Sequence, residues 1–192
     1  VESWESGTTA GTAVAEVLFG DVNPGGKLPL TFPRSVGQLQ MIYNHKPSQY
    51  FHKYAFEKVT PLYPFGHGLS YSNFEYSDFK VDQVIDDKIS ISVNVTNDSG
   101  FDGEEVVQLY FRDSYSSVTR PVKELVRYKR VMIASGETVT IDFEVDVQDL
   151  AFYDINMNLC VEMGEFEFMV GGSSDDKQLM SETVDIKKRY DY

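Results

Sequence analysis

Trp4 and Glu5, in the segment SWESG near the start of the chain, have side chains suited to ligand chemistry. SWESG has the composition of a strand end that runs into a loop, and α/β sheets place their ligand-binding loops at such strand ends. Glu5 could contact polar groups of a ligand there, and the Trp4 ring could stack on a flat face of that ligand. Packing of Trp4 against a sheet edge is the favoured alternative. Neither residue is predicted to be catalytic, and both are candidate substrate contacts.

Three histidines, His45, His52 and His67, are candidates for acid–base or metal chemistry. Their spacing gives no helical pair at i and i+4, and His67 lies between two glycines, so the sequence offers no recognisable set of metal ligands. We therefore expect structural or exposed histidines, with no metal and no other cofactor. The surrounding segment YNHKPSQYFHKY has two interpretations: the wall of a substrate entrance or, as the favoured one, a loop that packs between domains.

Other polar patterns have simpler explanations than ligand binding. SSDDK at 173–177 has carboxylates without the spacing of a calcium-binding loop, so we predict a hairpin turn. NVT at 94–96 and NDS at 97–99 match the N-glycosylation acceptor pattern, which matters only in a eukaryotic secretory setting. Cys160 is the one cysteine, which excludes an intrachain disulfide and a zinc site built from cysteines.

The composition is that of an acidic globular protein. Hydrophobic residues make up 42% and aromatic residues 14% of the 192 residues, too many for a disordered chain. The net charge of −13 and the lack of a Lys or Arg cluster argue against nucleic acid as a partner. No apolar run approaches the roughly 20 residues of a transmembrane helix, so we predict no membrane span.

The chain starts at Val1 without a signal-peptide pattern, and we expect a fragment of a longer protein.

Residues 1–35 have the pattern of one βαβ unit, which would position Trp4 and Glu5 ahead of a helix. TTAGTAVAEVLFG begins with threonines that can cap a helix, has apolar residues at helical spacing and ends at Gly20. DVNPGGK then predicts a turn, and LPLTF predicts a strand. One such unit cannot cover both faces of a parallel sheet, so we expect this piece to belong to a larger α/β domain.

Residues 36–72 have the composition of an aromatic linker that packs between domains. PLYPFGHGLSY at 61–71 has prolines and glycines that argue against helix and central strand, and aromatic residues that favour burial. Residues 34–60 have no steady period of two or 3.6, which predicts a loop. We expect the aromatic side chains of this linker to hold the flanking bodies together.

Residues 73–192 predict an immunoglobulin-like β-sandwich. Apolar residues alternate with polar ones from Ile89 to Val95, and Phe166, Phe168 and Val170 alternate in the same way as predicted core residues. The predicted strands are FEYSDFKV, KISISVNVTN, EVVQLYF, ELVRYKRVMI, TVTIDFEV, EFEFMVG and ETVDIKK. About seven short strands over about 115 residues, without paired cysteines, are typical of a fibronectin type III-like sandwich.

Long segments of the chain, rather than a single motif, are similar to a known family. They are WESGTTAGTAVAEVLFGDVNPGGKLPLTFP, then IYNHKPS and PLYPFGHGLSY, then GEEVVQLYFRD, RPVKELVRYKRVMIASGET, DLAFYD and GEFEFMVGGSS. In this order and spacing they resemble the carboxyl-terminal part of the family 3 glycoside hydrolases, the β-glucosidases and β-xylosidases. The first segment resembles the end of the family's α/β sandwich domain, the next two its linker, and the rest its fibronectin type III-like domain.

The resemblance implies a retaining β-glycosidase that hydrolyses terminal β-linked sugars. Family members use an aspartate nucleophile from an upstream barrel domain and a glutamate acid/base usually from the α/β sandwich domain. No residue of this sequence matches either position, so the resemblance implies that the chain lacks both catalytic carboxylates. It also implies that a β-linked oligosaccharide or glycoside binds through domains of the same polypeptide or of a companion chain. A periplasmic or secreted location is suggested by the resemblance alone.

The alternative hypothesis is a non-catalytic module that binds carbohydrate or another subunit. Exposed aromatic residues on one sheet face would favour it, and the candidates are Tyr110, Tyr128 and Tyr153. A structural brace is the favoured role, because fibronectin-like modules often support neighbouring domains without contacting the substrate.

Overall fold

The computed structural model describes residues 1–38, 41–47 and 56–192, and its main body is a sandwich of two antiparallel sheets. The first sheet, in the order β1-β2-β5, consists of β1 (Phe74–Val81), β2 (Lys88–Asn97) and β5 (Thr138–Asp146). The second, in the order β4-β3-β8-β9, consists of β3 (Gly103–Asp113), β4 (Glu124–Ile133), β8 (Gly164–Gly171) and β9 (Met180–Ile186). All seven predicted strands and the predicted sandwich are confirmed. β4 and β9 form the edges of the second sheet.

The core of the sandwich follows the alternation in the sequence. The apolar residues of β2 and the predicted core residues Phe166, Phe168 and Val170 of β8 are buried in one cluster. β3 departs from this pattern, because Gln108 and Tyr110, on the face opposite to the core, are buried as well. The outer face of the second sheet is therefore covered by another part of the chain.

Three very short strands form a separate antiparallel sheet at one side of the sandwich. They are β6 (Phe152–Tyr153), β7 (Leu159–Val161) and β10 (Tyr190–Asp191), in the order β10-β7-β6. A 3-10 turn, Val147–Leu150, leads into β6. Strands of two or three residues are too short to show an alternating pattern, and the sequence did not predict this sheet.

The helix of the N-terminal segment is formed, but the strands predicted on either side of it are not. α1 covers Ala10–Phe19 and ends at Gly20, whose φ of 85° lies in the left-handed region. Thr9 stands at the amino-terminal cap position without a side-chain capping bond. In the flanking segments only Phe32 forms a bridge, to Tyr63. A strand needs a partner, and within 1–35 no second strand is present to pair with. No helix in the described ranges has the length and apolar character to cross a membrane.

The linker segment PLYPFGHGLSY contacts both the N-terminal segment and the sandwich. On one side, the Gly66 N–H donates to Leu28 O (2.8 Å) and the Leu28 N–H donates to His67 O (2.9 Å). On the other side, the Ser174 N–H, in the connection between β8 and β9, donates to Phe65 O (2.9 Å). This segment is the part of the chain that covers Gln108 of β3, since the Gln108 amide donates to Gly66 O (3.4 Å).

Candidate functional site

Trp4 stands at one end of a row of aromatic rings in the N-terminal segment and the linker. Its ring meets Phe32 edge to face with the centroids 6.4 Å apart, and Phe32 meets Tyr63 in the same way at 6.4 Å. Tyr63 stacks on the imidazole of His67 at 5.0 Å. We call these four residues the aromatic row. Trp4 keeps 54% of its surface exposed, so the ring packs at one edge and remains open to a ligand.

The backbone at Trp4 is strained, and Glu5 follows it on the surface. Trp4 has a φ of 47°, a left-handed conformation that costs a non-glycine residue about 1–2 kcal/mol. Its N–H donates to Glu2 Oε1 (3.0 Å). Glu5 is exposed and takes part in none of the hydrogen bonds or ion pairs found in the described part of the chain. The role of Trp4 and Glu5 as substrate contacts stays a prediction.

The histidines are distributed over different surroundings. Burial and the nearby Lys27 ammonium lower the pKa of His67, against the opposing effect of Asp175. The ring of His67 is therefore disposed to remain neutral while it stacks on Tyr63. His45 Nδ1 lies 2.9 Å from Lys46 O, and the backbone carbonyl of His45 accepts the Val122 N–H (3.0 Å). His52 lies outside the described residues.

A buried ionic cluster joins the N-terminal segment to one end of the sandwich. Lys27 forms an ion pair with Glu105 of β3 (3.0 Å), and the Tyr76 hydroxyl of β1 donates to the same carboxylate (2.8 Å). Glu105 is only 3% exposed. Burial, followed by the charge of Glu105, raises the pKa of Tyr76 well above its usual value, so this hydroxyl stays protonated as a donor. We call Lys27, Glu105 and Tyr76 the ionic seam.

Asn23 supports the ionic seam with a set of neutral hydrogen bonds. Its side-chain amide donates to Ser72 Oγ and to Asp102 O, both at 2.8 Å. Its carbonyl oxygen accepts the Ser70 hydroxyl (2.8 Å) and the Tyr71 N–H (2.9 Å). One asparagine from the turn DVNPGGK thus fixes the end of the linker against the loop that precedes β3.

Tyr110 is buried, so its prediction as an exposed aromatic residue on a sheet face is wrong. The linker covers it: Tyr43 stacks on Phe65 at 4.4 Å and meets Tyr110 edge to face at 5.9 Å. The Tyr110 hydroxyl donates to Gln108 Oε1 (2.6 Å), and burial, together with Tyr43, raises its pKa. Tyr128 and Tyr153, the other two candidates, are exposed.

The turn SSDDK is a connection between β8 and β9, as predicted, and one of its carboxylates, that of Asp176, forms an ion pair. Lys123 is buried and donates to Ser174 O (2.9 Å) and to the carboxylate of Asp176. A cleft of about 330 Å³ lies beside this pair and is also lined by Arg34 and His45. The arrangement anchors the turn to the start of β4.

One group of side chains in the described part of the chain has the proximity expected of metal ligands. Asp154, Cys160 and Glu162 have ligand atoms within 4.8 Å of one another. The Arg189 guanidinium already lies on their carboxylates, 2.7 Å from Asp154 Oδ2 and 3.4 Å from Glu162 Oε1. A fixed cation therefore occupies the position that a metal ion would take.

The Asp154 carboxylate stabilises the fold in a pH-dependent way. Backbone hydrogen bonds, with that from Asn158 foremost, and the bond from Arg189 lower its pKa from 3.8 to about 2. A carboxyl group whose pKa is lower in the folded state stabilises the fold above its unfolded pKa and loses this effect as the pH falls.

We expect Asp154→Asn to be less stable than the parent chain at pH 7. The difference in the free energy of unfolding should shrink as the pH falls from about 4 to about 2, since the parent carboxylate is protonated in that range. Urea unfolding at several pH values measures this. Asp185→Asn, on β9 of the second sheet, serves as the control. An Asp154→Asn difference that is constant over this pH range would contradict the prediction.

Comparison with known proteins decides between the family resemblance and an unrelated sandwich. Residues 1–71 match the model of the glycosyl hydrolase family 3 C-terminal domain. Residues 105–174 match the model of the fibronectin type III-like domain. The chain is a carboxyl-terminal region of a family 3 glycoside hydrolase. All four residues of the aromatic row lie within the match to the family 3 C-terminal domain. The ionic seam joins Lys27 of that match to Glu105 of the fibronectin type III-like match.

Individual relatives agree with this placement. The chain is 41% identical over 187 residues to a periplasmic beta-glucosidase of Salmonella typhimurium, covering 91% of this chain and 24% of the relative. It is 43% identical over 192 residues to a beta-xylosidase of Formosa agariphila, covering 96% and 27%. A crystal structure of beta-glucosidase from Listeria innocua in complex with glucose matches with a TM-score of 0.88 at 33% identity, covering 97% and 27%. The chain therefore spans about a quarter of the length of these family 3 relatives.

The sequence did not predict the residues that carry the ionic seam. Glu105 occupies the same strand face as the core residues Val107 and Leu109. A charged residue on an apolar face is the one feature of the sequence that indicates a buried charge in need of a partner. Its partner Lys27 lies 78 positions away in sequence, in a turn, and no local pattern connects the two.

Proposed function

We propose that this chain is the non-catalytic carboxyl-terminal part of a retaining β-glycosidase of the β-glucosidase or β-xylosidase type, which hydrolyses terminal β-linked sugars. In this proposal residues 1–35 complete the α/β sandwich domain, residues 36–72 form the linker and residues 73–192 form the fibronectin type III-like domain. The rest of the same polypeptide, or a companion chain, binds the β-linked oligosaccharide or glycoside.

The ionic seam is the observation that supports a role of the sandwich as a structural brace for the N-terminal segment. Glu105 is buried and its partner Lys27 is largely buried, and the Tyr76 hydroxyl satisfies a further lone pair of the carboxylate. Such a cluster tolerates little displacement, because separating a buried pair leaves uncompensated charge. The seam therefore holds the N-terminal segment in one orientation on the sandwich. A catalytic site built partly on that segment's domain would be held in the same way.

The exposed apolar face of α1 supports the assignment of residues 1–35 to a larger domain. Leu18 and Phe19 are exposed, and no residue of the helix is buried. Contiguous exposed apolar surface commonly marks an interface with another body. Trp4 and Glu5 lie on the same segment, and we propose them as contacts at the rim of a substrate site to which this domain contributes.

We expect the purified chain alone to show no hydrolysis of an aryl β-glucoside or an aryl β-xyloside. Retaining catalysis needs two carboxyl groups about 5 Å apart on opposite sides of the glycosidic bond, and by the family resemblance neither is among these residues. Release of the aryl group, followed by absorbance, measures the activity, with a complete family 3 β-glucosidase as the positive control. Turnover that follows the chain through several purification steps would contradict the proposal.

A further inference from the structure

The small sheet carries a row of side chains that the bracing role does not use. Tyr153 pairs with Leu159 in register, and the Tyr192 N–H donates to Leu159 O (2.9 Å). Directly paired residues project from the same face of a sheet, so these three side chains share one face. Phe152 and Cys160, on the opposite face, are buried. We call Tyr153, Leu159 and Tyr192 the tyrosine row. Its two tyrosines are exposed, although Val161 and Tyr190, farther along the same face, pack in the core of the sandwich.

The geometry of the tyrosine row suits an elongated ligand. Tyr153 is 59% and Tyr192 is 48% exposed. Tyr153 lies on β6 and Tyr192 directly follows β10, and these are the two outer strands of the small sheet. With neighbouring strands about 4.8 Å apart, the two tyrosines are separated by about 10 Å. Both border an open groove of about 690 Å³, to which Met157 contributes an exposed apolar side chain. One chain of a few linked rings could contact both tyrosines.

The backbone under the row is held rigidly. Asp154 Oδ1 accepts the N–H groups of Asn156 (2.8 Å) and Asn158 (3.0 Å), which fixes the turn between β6 and β7. Arg189 ties β10 to this turn through Asp154, and its Nε donates to Asp191 Oδ1 (2.7 Å). Little conformational entropy would be lost at the groove when a ligand binds.

The charges around the groove disfavour anionic ligands. Arg189 is the cation of the groove, and three carboxylates surround it: Asp154, Glu162 and Asp191. The net charge around the groove is therefore negative, which disfavours the binding of phosphate groups and acidic polysaccharides. Tyrosine rings with planar polar side chains at their rim, here Asn158 and Asp191, instead suit neutral ligands that have an apolar ring face and many hydroxyl groups.

We propose that the tyrosine row is a binding surface for a chain of neutral, β-linked sugars. The tyrosine row and the charges around the groove indicate a neutral oligosaccharide. That its sugars are β-linked rests on the proposed function. The surface would hold a polymeric or oligomeric substrate close to the enzyme of which this chain forms part.

Isothermal titration of the 192-residue chain with cellohexaose, xylohexaose and the α-linked maltohexaose tests this. We expect binding of at least one β-linked hexasaccharide and weaker binding of maltohexaose. Tyr153→Ala and Tyr192→Ala should each reduce the affinity about tenfold, since each removes one stacking ring. Tyr153→Phe should retain binding. Phe101→Ala is the matched control, because Phe101 is an aromatic residue of similar exposure that lies between β2 and β3, and it should leave the affinity unchanged.

Thermal unfolding of the variants checks that the fold is intact, as expected for exposed side chains. The proposal is overturned if neither β-linked sugar binds at millimolar concentration, if maltohexaose binds equally well, or if both alanine variants bind like the parent. Light scattering measures whether the chain forms a dimer through this face. If the parent chain is a dimer and Tyr153→Ala is a monomer, the face binds a second copy of the chain, and the proposal is overturned. Binding is measured without hydrolysis, so its failure leaves the proposed function intact.

Discussion

Glu105→Ala is expected to lower the free energy of unfolding by about 3–5 kcal/mol, because it leaves the Lys27 ammonium largely buried without its counter-charge. The side chain of Glu105 is 4% exposed and that of Lys27 is 17% exposed, so solvent can compensate only part of the loss. The Tyr76 hydroxyl loses its acceptor at the same time. The effect should be among the largest available from a single substitution outside the apolar core.

Two probes of urea unfolding measure this effect and locate it. Circular dichroism follows the sandwich, and the fluorescence of Trp4, the one tryptophan, follows the N-terminal segment. In the parent chain we expect coincident transitions, since the ionic seam couples the two parts. In Glu105→Ala the Trp4 transition should occur at lower urea concentration than the circular dichroism transition.

The neighbouring residue provides the control for Glu105. Glu104 is paired with Arg130 at the surface, and Glu104→Ala should cost no more than about 1 kcal/mol. In a double-mutant cycle, Lys27→Met should cost less in the Glu105→Ala background than in the parent, because the uncompensated ammonium is removed with it. A Glu105→Ala variant as stable as Glu104→Ala would show that the seam does not hold the segment.

Gly66→Ala is expected to cost about 2–4 kcal/mol, as the sum of backbone strain and steric overlap. Gly66 has a φ of 79°, which a residue with a Cβ adopts only with strain. An added Cβ would lie 2.7 Å from Gln108 Nε2 and closer still to Oε1. Gln108 cannot easily move away, because its amide donates to Gly172 O (2.6 Å) and its carbonyl oxygen accepts the Tyr110 hydroxyl.

Gly136→Ala separates the two contributions for Gly66. Gly136 has a similar φ of 76°, but nothing lies within 4 Å of an added Cβ. This variant should therefore show the backbone strain alone, about 1–2 kcal/mol. Equilibrium urea unfolding of both variants gives the comparison. If the two substitutions cost the same, the linker does not press on Gln108 and the packing described for the outer face of β3 is incorrect.

The sandwich could be predicted from the sequence because its strands are buried on one face. The alternation of apolar and polar residues is clear in β2 and β5 and weaker in β1, β4 and β9, and it is visible without knowledge of the partners. The helix at Ala10–Phe19 was visible for a similar reason, since its spacing and the terminal Gly20 are local features. Pairing is not local: the strands predicted beside this helix are absent in the structure, because among the described residues they pair only at the bridge between Phe32 and Tyr63.

The candidate sites depended on contacts that lie far apart in sequence. Tyr110 alternates with the core residues Leu109 and Phe111, which predicts an outward side chain, but the linker ring of Tyr43 packs against it and it is buried. The tyrosine row likewise combines strands of two or three residues that are separated by other elements. Tyr153 could be named as an aromatic candidate from the sequence, but its alignment with Tyr192 follows from the register of β6, β7 and β10.

The position of β4 at a sheet edge bears on how the chain behaves at high concentration. An edge strand offers unpaired backbone groups on which another molecule can add a strand, the first step of fibril growth. Arg127, Lys129 and Arg130 stand on this strand. Arg127 and Arg130 are ion-paired with Asp149 and Glu104, and charged side chains on an edge strand oppose the addition of a further strand. β4 thus both ends the second sheet and protects this side of the sandwich from association with other molecules.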